Sequence, residues 1–352
     1  MAVQTEAIIY DGPANWKGAD IRDSDNWNFR LTGVHIQEIK DAVKKSMDDG
    51  TDIVDLTNEN FKLPTLAGEL KRLYADVING RGFFVGHGMP VADLDREEVI
   101  RAWIGIGTHL GDPLPQNAKG HIIGHVKDLR RDASDKNQRT FGTNERQPYH
   151  TDNCDIVGLL CLKTPKSGGL FSLTSSYAVY EEMMKRRPDL VKILEQPYIQ
   201  DRRGEVPAGK QDTYEMAAYY QHKGRLLSVI DRNYVKAAQN HDYVPPLSQD
   251  QNDALDMLEA IAEEDGFYLD LEWQPGAFAF VHNHQMFHSR TAYEDYEDID
   301  KMRHNLRLWL SARTGWDLHP KFEERYGEIE VGKKRGGIIL PGIQLTTPME
   351  AE

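Results

Sequence analysis

The sequence predicts an α+β protein built on a β-sandwich, and three observations carry that prediction. Helical periodicity is concentrated toward the front of the chain. From Tyr149 onward, short apolar runs bounded by glycine and proline dominate, with helices inserted between them. A GxGxxG segment and the regular strand and helix alternation of a doubly wound sheet are both missing.

Taken in order, residues 64–79 read as a helix, with Pro64 in its first turn, Leu66, Leu70, Leu73 and Val77 on one face, and Gly80 as its stop. Residues 82–88 form a glycine-bounded apolar run followed by Pro90, a strand signal. A second helix is expected over residues 93–110. The polar stretch 111–145 has little periodicity and reads as loops near an active-site mouth. Strands are then expected at residues 156–162 and 170–176, separated by Pro165 and the Gly168-Gly169 turn. Residues 177–187 read as a helix stopped by Pro188. Residues 248–264 read as another, opened by Ser248 with Gln251 three positions on, a capping-box arrangement. Further strands are expected at residues 226–230, 277–281, 286–291 and 306–312.

A chain of 352 residues exceeds the usual domain length, yet β-rich enzymes of this size often form one elaborated domain. One catalytic domain over residues 1–352 is expected, with an N-terminal extension (1–60), a core (80–316) and a tail (317–352) that folds back over the active site. The net charge of −14, with no basic cluster, argues against a nucleic-acid partner, because the phosphate backbone would be repelled. The first residues lack the basic and apolar regions of a signal peptide, and no stretch approaches ~20 apolar residues. The expectation is a cytoplasmic protein with no membrane partner. Cys154 and Cys161 are too few for a disulfide framework and read as buried thiols; a single strand through both would point them to opposite sides.

His150 and Asp152 stand two apart, so on an extended strand both reach the same side and can meet one cation. The best third ligand is His288, 136 residues beyond Asp152. Two histidines and a carboxylate on one face of an octahedral ion leave three positions open, the arrangement of non-haem Fe(II) oxygenases. Such a pair also occurs as a mere hydrogen-bonded strand feature. What strengthens the metal reading is Arg303 and Arg307, 15 and 19 residues past His288, because arginine's planar fork holds a carboxylate through two parallel hydrogen bonds. His282 and His284 read as hydrogen-bonding groups of a turn around Asn283, with His284 the alternative third ligand. His121 and His125 have helical metal spacing, but Gly124 argues against a helix there, and they read as a loop feature.

Through GRGFFVGHGMP, GDPLPQNAKG, IGHVKD, PYHTDNCDIVGLLCL, PKSGGLFSLTSS, QPGAFAFVHNHQMFHSRTAYEDY and RHNLRLWLSAR, residues 82–316 resemble the taurine dioxygenase and clavaminate synthase-like superfamily, its fungal branch above all. The resemblance implies a double-stranded β-helix, or jelly-roll, core flanked by helices, with Fe(II) on His150, Asp152 and His288. It implies 2-oxoglutarate and O2 as cosubstrates, with Arg303 on the distal carboxylate of 2-oxoglutarate. Arg307 falls where relatives hold an acidic group of the substrate, and a strand-supporting ion pair is its other reading. One departure stands out: relatives place a threonine after the paired glycines as a second anchor, and here Phe171 takes that place. Ser172 and Thr174 alternate to the opposite side, so the second anchor is unassigned.

The implied reaction couples decarboxylation of 2-oxoglutarate to hydroxylation, desaturation or ring closure at a C–H bond of a small molecule. With Arg307, and with Ile343 and Leu345 of the tail over the cavity, a small aliphatic carboxylate is expected. Valine, as handled by similar fungal oxygenases that form aziridines in secondary metabolism, is one candidate. The competing readings are a metal-dependent hydrolase, which has no use for Arg303, and a non-catalytic jelly-roll binding protein, which has no use for an intact triplet.

Overall fold

The computed structural model describes residues 10–130, 144–271 and 273–351. In chain order the strands of its two main sheets are β1 (Asn28–Arg30), β2 (Phe83–His87), β3 (Asp112–Pro113), β4 (Ile123–Val126), β5 (Gln147–His150), β6 (Ile156–Lys163), β7 (Phe171–Ser175), β8 (Tyr268–Leu271), β9 (Phe278–His282), β10 (Met286–Arg290) and β11 (His304–Ser311). The larger sheet runs β1-β2-β9-β6-β11-β3, with β4 also paired to β11. Only its β1–β2 pair is parallel. The smaller sheet runs β8-β7-β10-β5 and is antiparallel throughout. Together they make the jelly-roll core of an α+β fold.

Helices flank the sandwich. Leu66–Asn79 buries Leu66, Leu70, Leu73 and Val77, the face the spacing predicts. Arg96–Thr108 drives Trp103 onto the larger sheet, where its ring stands 4.8 Å from Phe280. Ser248 caps Gln249–Ala262 through the reciprocal bonds of a capping box with Gln251. The helices Gly33–Asp48, Pro188–Leu194 and Arg232–Ala238 were not anticipated. Gly33–Asp48 shows why: it buries only Ile39, Ala42, Val43 and Ser46 among many charged residues, so its apolar stripe is thin.

The reading of 111–145 as loops needs correction, because β3 and β4 lie within it; both strands are short and pair with β11. His125 accordingly sits on β4. Residues 131–143 of that stretch lie outside the described residues. Cys154 and Cys161 are both buried and free, but β6 starts only at Ile156, so no single strand contains them.

Two sheet-to-sheet corners position everything that follows. Residues 151–155 carry the chain from β5 in the smaller sheet to β6 in the larger, and residues 283–285 carry it from β9 back to β10. The corners clasp each other. Asn283 accepts from the Asp152 backbone N at 3.1 Å and donates to the Cys154 carbonyl at 3.0 Å, and its own backbone N donates to the Asp155 carbonyl at 2.9 Å.

Candidate metal centre

His150 ends β5 and His288 lies within β10, and antiparallel pairing makes them direct Cα partners. Their rings therefore face each other, with centroids 4.2 Å apart. Asp152, fixed by the Asn283 clasp, brings Oδ2 to 3.6 Å from His288 Nε2. One ligand atom from each of the three residues lies within 4.8 Å of the others, and all three side chains are buried. Among the described residues this is the one histidine, cysteine and carboxylate cluster with room for an ion.

The chemistry of the donors suits a divalent transition metal. His150 Nδ1 lies 2.9 Å from the Pro148 carbonyl, to which it can donate, so Nε2, which the Gln147 amide nitrogen meets at 3.0 Å, is the nitrogen that would coordinate in that amide's place. Burial, with His150 beside it, pushes the His288 imidazole down to about 4, so it is neutral at pH 7 and free to coordinate. Burial would raise Asp152, but Arg307 and His288 more than offset this and hold it well below the usual carboxylate range. His284 points elsewhere: its Nε2 is 2.9 Å from Asp155, outside the triad.

Arg307 reaches the triad itself. Nη1 donates to Asp152 Oδ1 at 3.1 Å, while Nε donates to Gln116 Oε1 at 2.8 Å. Gln116 in turn donates to the Arg307 carbonyl at 2.9 Å. This glutamine escaped sequence reasoning, since 191 positions separate the pair and no local pattern marks it.

Arg303 precedes β11 and is 3% exposed. With the Asn305 amide turned to satisfy its neighbours, Arg303 Nη2 donates to Asn305 at 2.8 Å. Arg303 Nε and Nη1 have no hydrogen-bond partner among the described residues. Phe171 packs with its ring 5.4 Å from Trp273 and 6.0 Å from His288. As strand alternation predicts, Ser172 and Thr174 turn away, to Tyr149 at 2.6 Å and the Phe267 carbonyl at 3.3 Å. The tail runs along the 117–121 turn. Thr346 bridges to His121, Ile343 lies against Gly120, and Leu345 is exposed.

A jelly roll with two facing imidazoles and a carboxylate at its sheet corners defines the class of non-haem iron oxygenases. Residues 49–309 match the family described as taurine catabolism dioxygenase TauD, TfdA family, and the chain belongs to it. It is accordingly a 2-oxoglutarate-dependent dioxygenase using iron.

Among similar proteins, an FR-33289 synthase of Streptomyces rubellomurinus (strain ATCC 31215) is 28% identical over 313 residues, covering 86% of this chain and 91% of the relative. The taurine hydroxylase-like protein SAT17 of Stachybotrys chartarum (strain CBS 109288 / IBT 7711) is 26% identical over 320 residues, covering 87% of this chain and 80% of the relative. In fold, the chain resembles asparagine oxygenase in complex with Fe(II), 2S,3S-3-hydroxyasparagine and succinate, with TM-score 0.62, 16% identity and coverage of 81% and 94%. It also resembles the non-heme iron oxygenase OrfP in complex with Fe and alpha-ketoglutaric acid, with TM-score 0.59, 14% identity and coverage of 81% and 93%. Among the described residues no helix is long and apolar enough to cross a membrane.

Proposed function

We propose that this oxygenase couples decarboxylation of 2-oxoglutarate to C–H oxidation of a small carboxylate or amino-acid substrate, with Fe(II) held by His150, Asp152 and His288. The observation that carries the assignment is the convergence of three buried ligand atoms within 4.8 Å. Iron and 2-oxoglutarate, when bound, supply the oxidising chemistry. The chain's own residues do the rest. Pro148 and Asn283 orient ligands, Phe171 and Trp273 form an aromatic wall, and Arg303 receives the distal carboxylate of 2-oxoglutarate.

Arg307 has a double task in this reading. It steadies the Asp152 carboxylate through Oδ1 and carries positive charge beside the metal, where an acidic group of the substrate is drawn. The substrates handled by asparagine oxygenase and OrfP, an asparagine and an arginine in their bound products, favour an amino acid. Valine, with ring closure to an aziridine, is one compound to test. Ile343 and Leu345 are left outside the substrate contacts, because the first packs on Gly120 and the second faces solvent.

The test is an anaerobic titration of the protein with Fe(II) and then 2-oxoglutarate, watching for the visible metal-to-ligand charge-transfer band, followed by a panel of amino acids and small acids. A band that shifts with one compound supports the reading and points to the substrate. No band from folded, iron-loaded protein would overturn it.

A further inference from the structure

Arg290 stands two residues beyond His288 on β10 and is 4% exposed. Alternation along the strand puts it on the same face as His288, about 7 Å farther along, opposite its register partner Phe171. Its Nη2 donates to the Glu145 carbonyl, but Nε and Nη1 have no partner among the described residues. Arg303, just before β11 of the larger sheet, has the same two donors unpartnered. Both guanidiniums lie against one ring, that of Tyr293, at 4.9 and 5.3 Å from its centroid.

The acidic groups nearby are engaged elsewhere. Asp295 accepts from the backbone N of Arg303 and of Tyr296, and Asp128 accepts from the backbone N of Arg130. Neither guanidinium forms an ion pair with a described residue. Gly169, at φ +67°, lets the chain pass so close that a Cβ there would lie 3.2 Å from Arg303 Cδ and Nε, which fixes the arginine's stem. Two buried cations side by side with four idle N–H-bearing nitrogens are costly unless an anion completes them.

We propose that Arg290 is the missing second anchor of the cosubstrate, closing with Arg303 a two-arginine clamp on the distal carboxylate of 2-oxoglutarate. The proposal rests on the assignment of Arg303 above and goes beyond it. β7 offers no alternative, since Phe171 presents only carbon toward His288 and the hydroxyls of Ser172 and Thr174 are bonded elsewhere. The planar forks meet a carboxylate with more donors than one arginine supplies.

Calorimetric titration of the Fe(II)-loaded protein without oxygen tests this with two chelators, 2-oxoglutarate and oxalate, the second lacking a distal carboxylate. Arg290→Gln is expected to weaken 2-oxoglutarate binding about 10- to 100-fold while leaving oxalate within about twofold of wild type. Arg290→Lys, which keeps the charge but not the fork, should recover part of the loss. Binding of 2-oxoglutarate by Arg290→Gln at wild-type strength, or an equal loss for both chelators, overturns the clamp. If the wild type binds oxalate but not 2-oxoglutarate, the Arg303 assignment falls and the clamp falls with it. If Arg303→Gln weakens 2-oxoglutarate and Arg290→Gln does not, the clamp alone falls.

Discussion

Two buried clusters of histidine, aspartate and arginine flank the same sheet corner, and among the described residues only one of them brings three possible metal-ligand atoms together. In the first, His150, Asp152 and His288 face one another with Arg307 behind the carboxylate. In the second, three residues along the chain, Asp155 is saturated. It meets His284 at 2.9 Å, the Ala312 backbone N at 2.8 Å and Arg335 Nε at 2.8 Å, all fully or almost fully buried. Composition does not separate the clusters. The difference is that the first brings one ligand atom from each of three residues within 4.8 Å of one another, with Gln147 and Arg307 as side donors, whereas both Asp155 oxygens of the second are spent on fixed donors, one of which, Arg335, staples the tail to the core.

The comparison is tested most severely at the two aspartates. Asp152→Ala should abolish turnover and lower iron affinity by more than the ~10- to 100-fold typical of losing an outer partner of a metal ligand. Iron-dependent fluorescence quenching and oxygen uptake are the readouts. Retained activity would remove Asp152 from the ligand set.

In the second cluster the loss should appear as stability. Arg335→Met leaves Asp155 without its one fixed cation in a fully buried position and should cost ~3–5 kcal/mol in urea melts. Iron affinity of the folded fraction should stay at the wild-type value. A large fall in iron affinity with unchanged stability would mean that the two clusters act as one.

Sequence reasoning reached the first cluster because two of its members, His150 and His288, sit on short strands and the third, Asp152, follows two residues after the end of one of them. The two-residue spacing of His150 and Asp152 and the alternation of β10 survive as local patterns, and so does the His284 reading, a turn group rather than a ligand. The second cluster was out of reach: Asp155 and Arg335 lie 180 positions apart, with no periodicity to connect them. Arg290 was in plain view within a recognised motif. Its meaning depends on what it fails to meet, which only the juxtaposition of two sheets reveals.

The smallest effect concerns acid. His282, beside the second cluster, is fully buried with Nδ1 2.6 Å from Gln285, and burial, with His284 next to it, holds its pKa well below the ordinary value. The unfolded chain, with histidine near ~6.5, then binds a proton that the folded state refuses. Stability contributed by His282 is complete above that pH and is lost as pH falls below it, at ~1.4 kcal/mol per pH unit for one full proton. Asp155, held down to about 2 because His284 and Arg335 outweigh its burial, adds a second loss only below the usual carboxylate range near ~4. Urea melts of metal-free protein between pH 7.5 and 5 should therefore show a slope that His282→Gln reduces by up to one proton. His125 and His304, bonded to each other at 2.8 Å and also lowered by burial, add to the total slope in both proteins and cancel in the difference. An unchanged slope would mean that His282 becomes protonated in the folded state, and that the region around the saturated cluster admits a charge that its burial argues against.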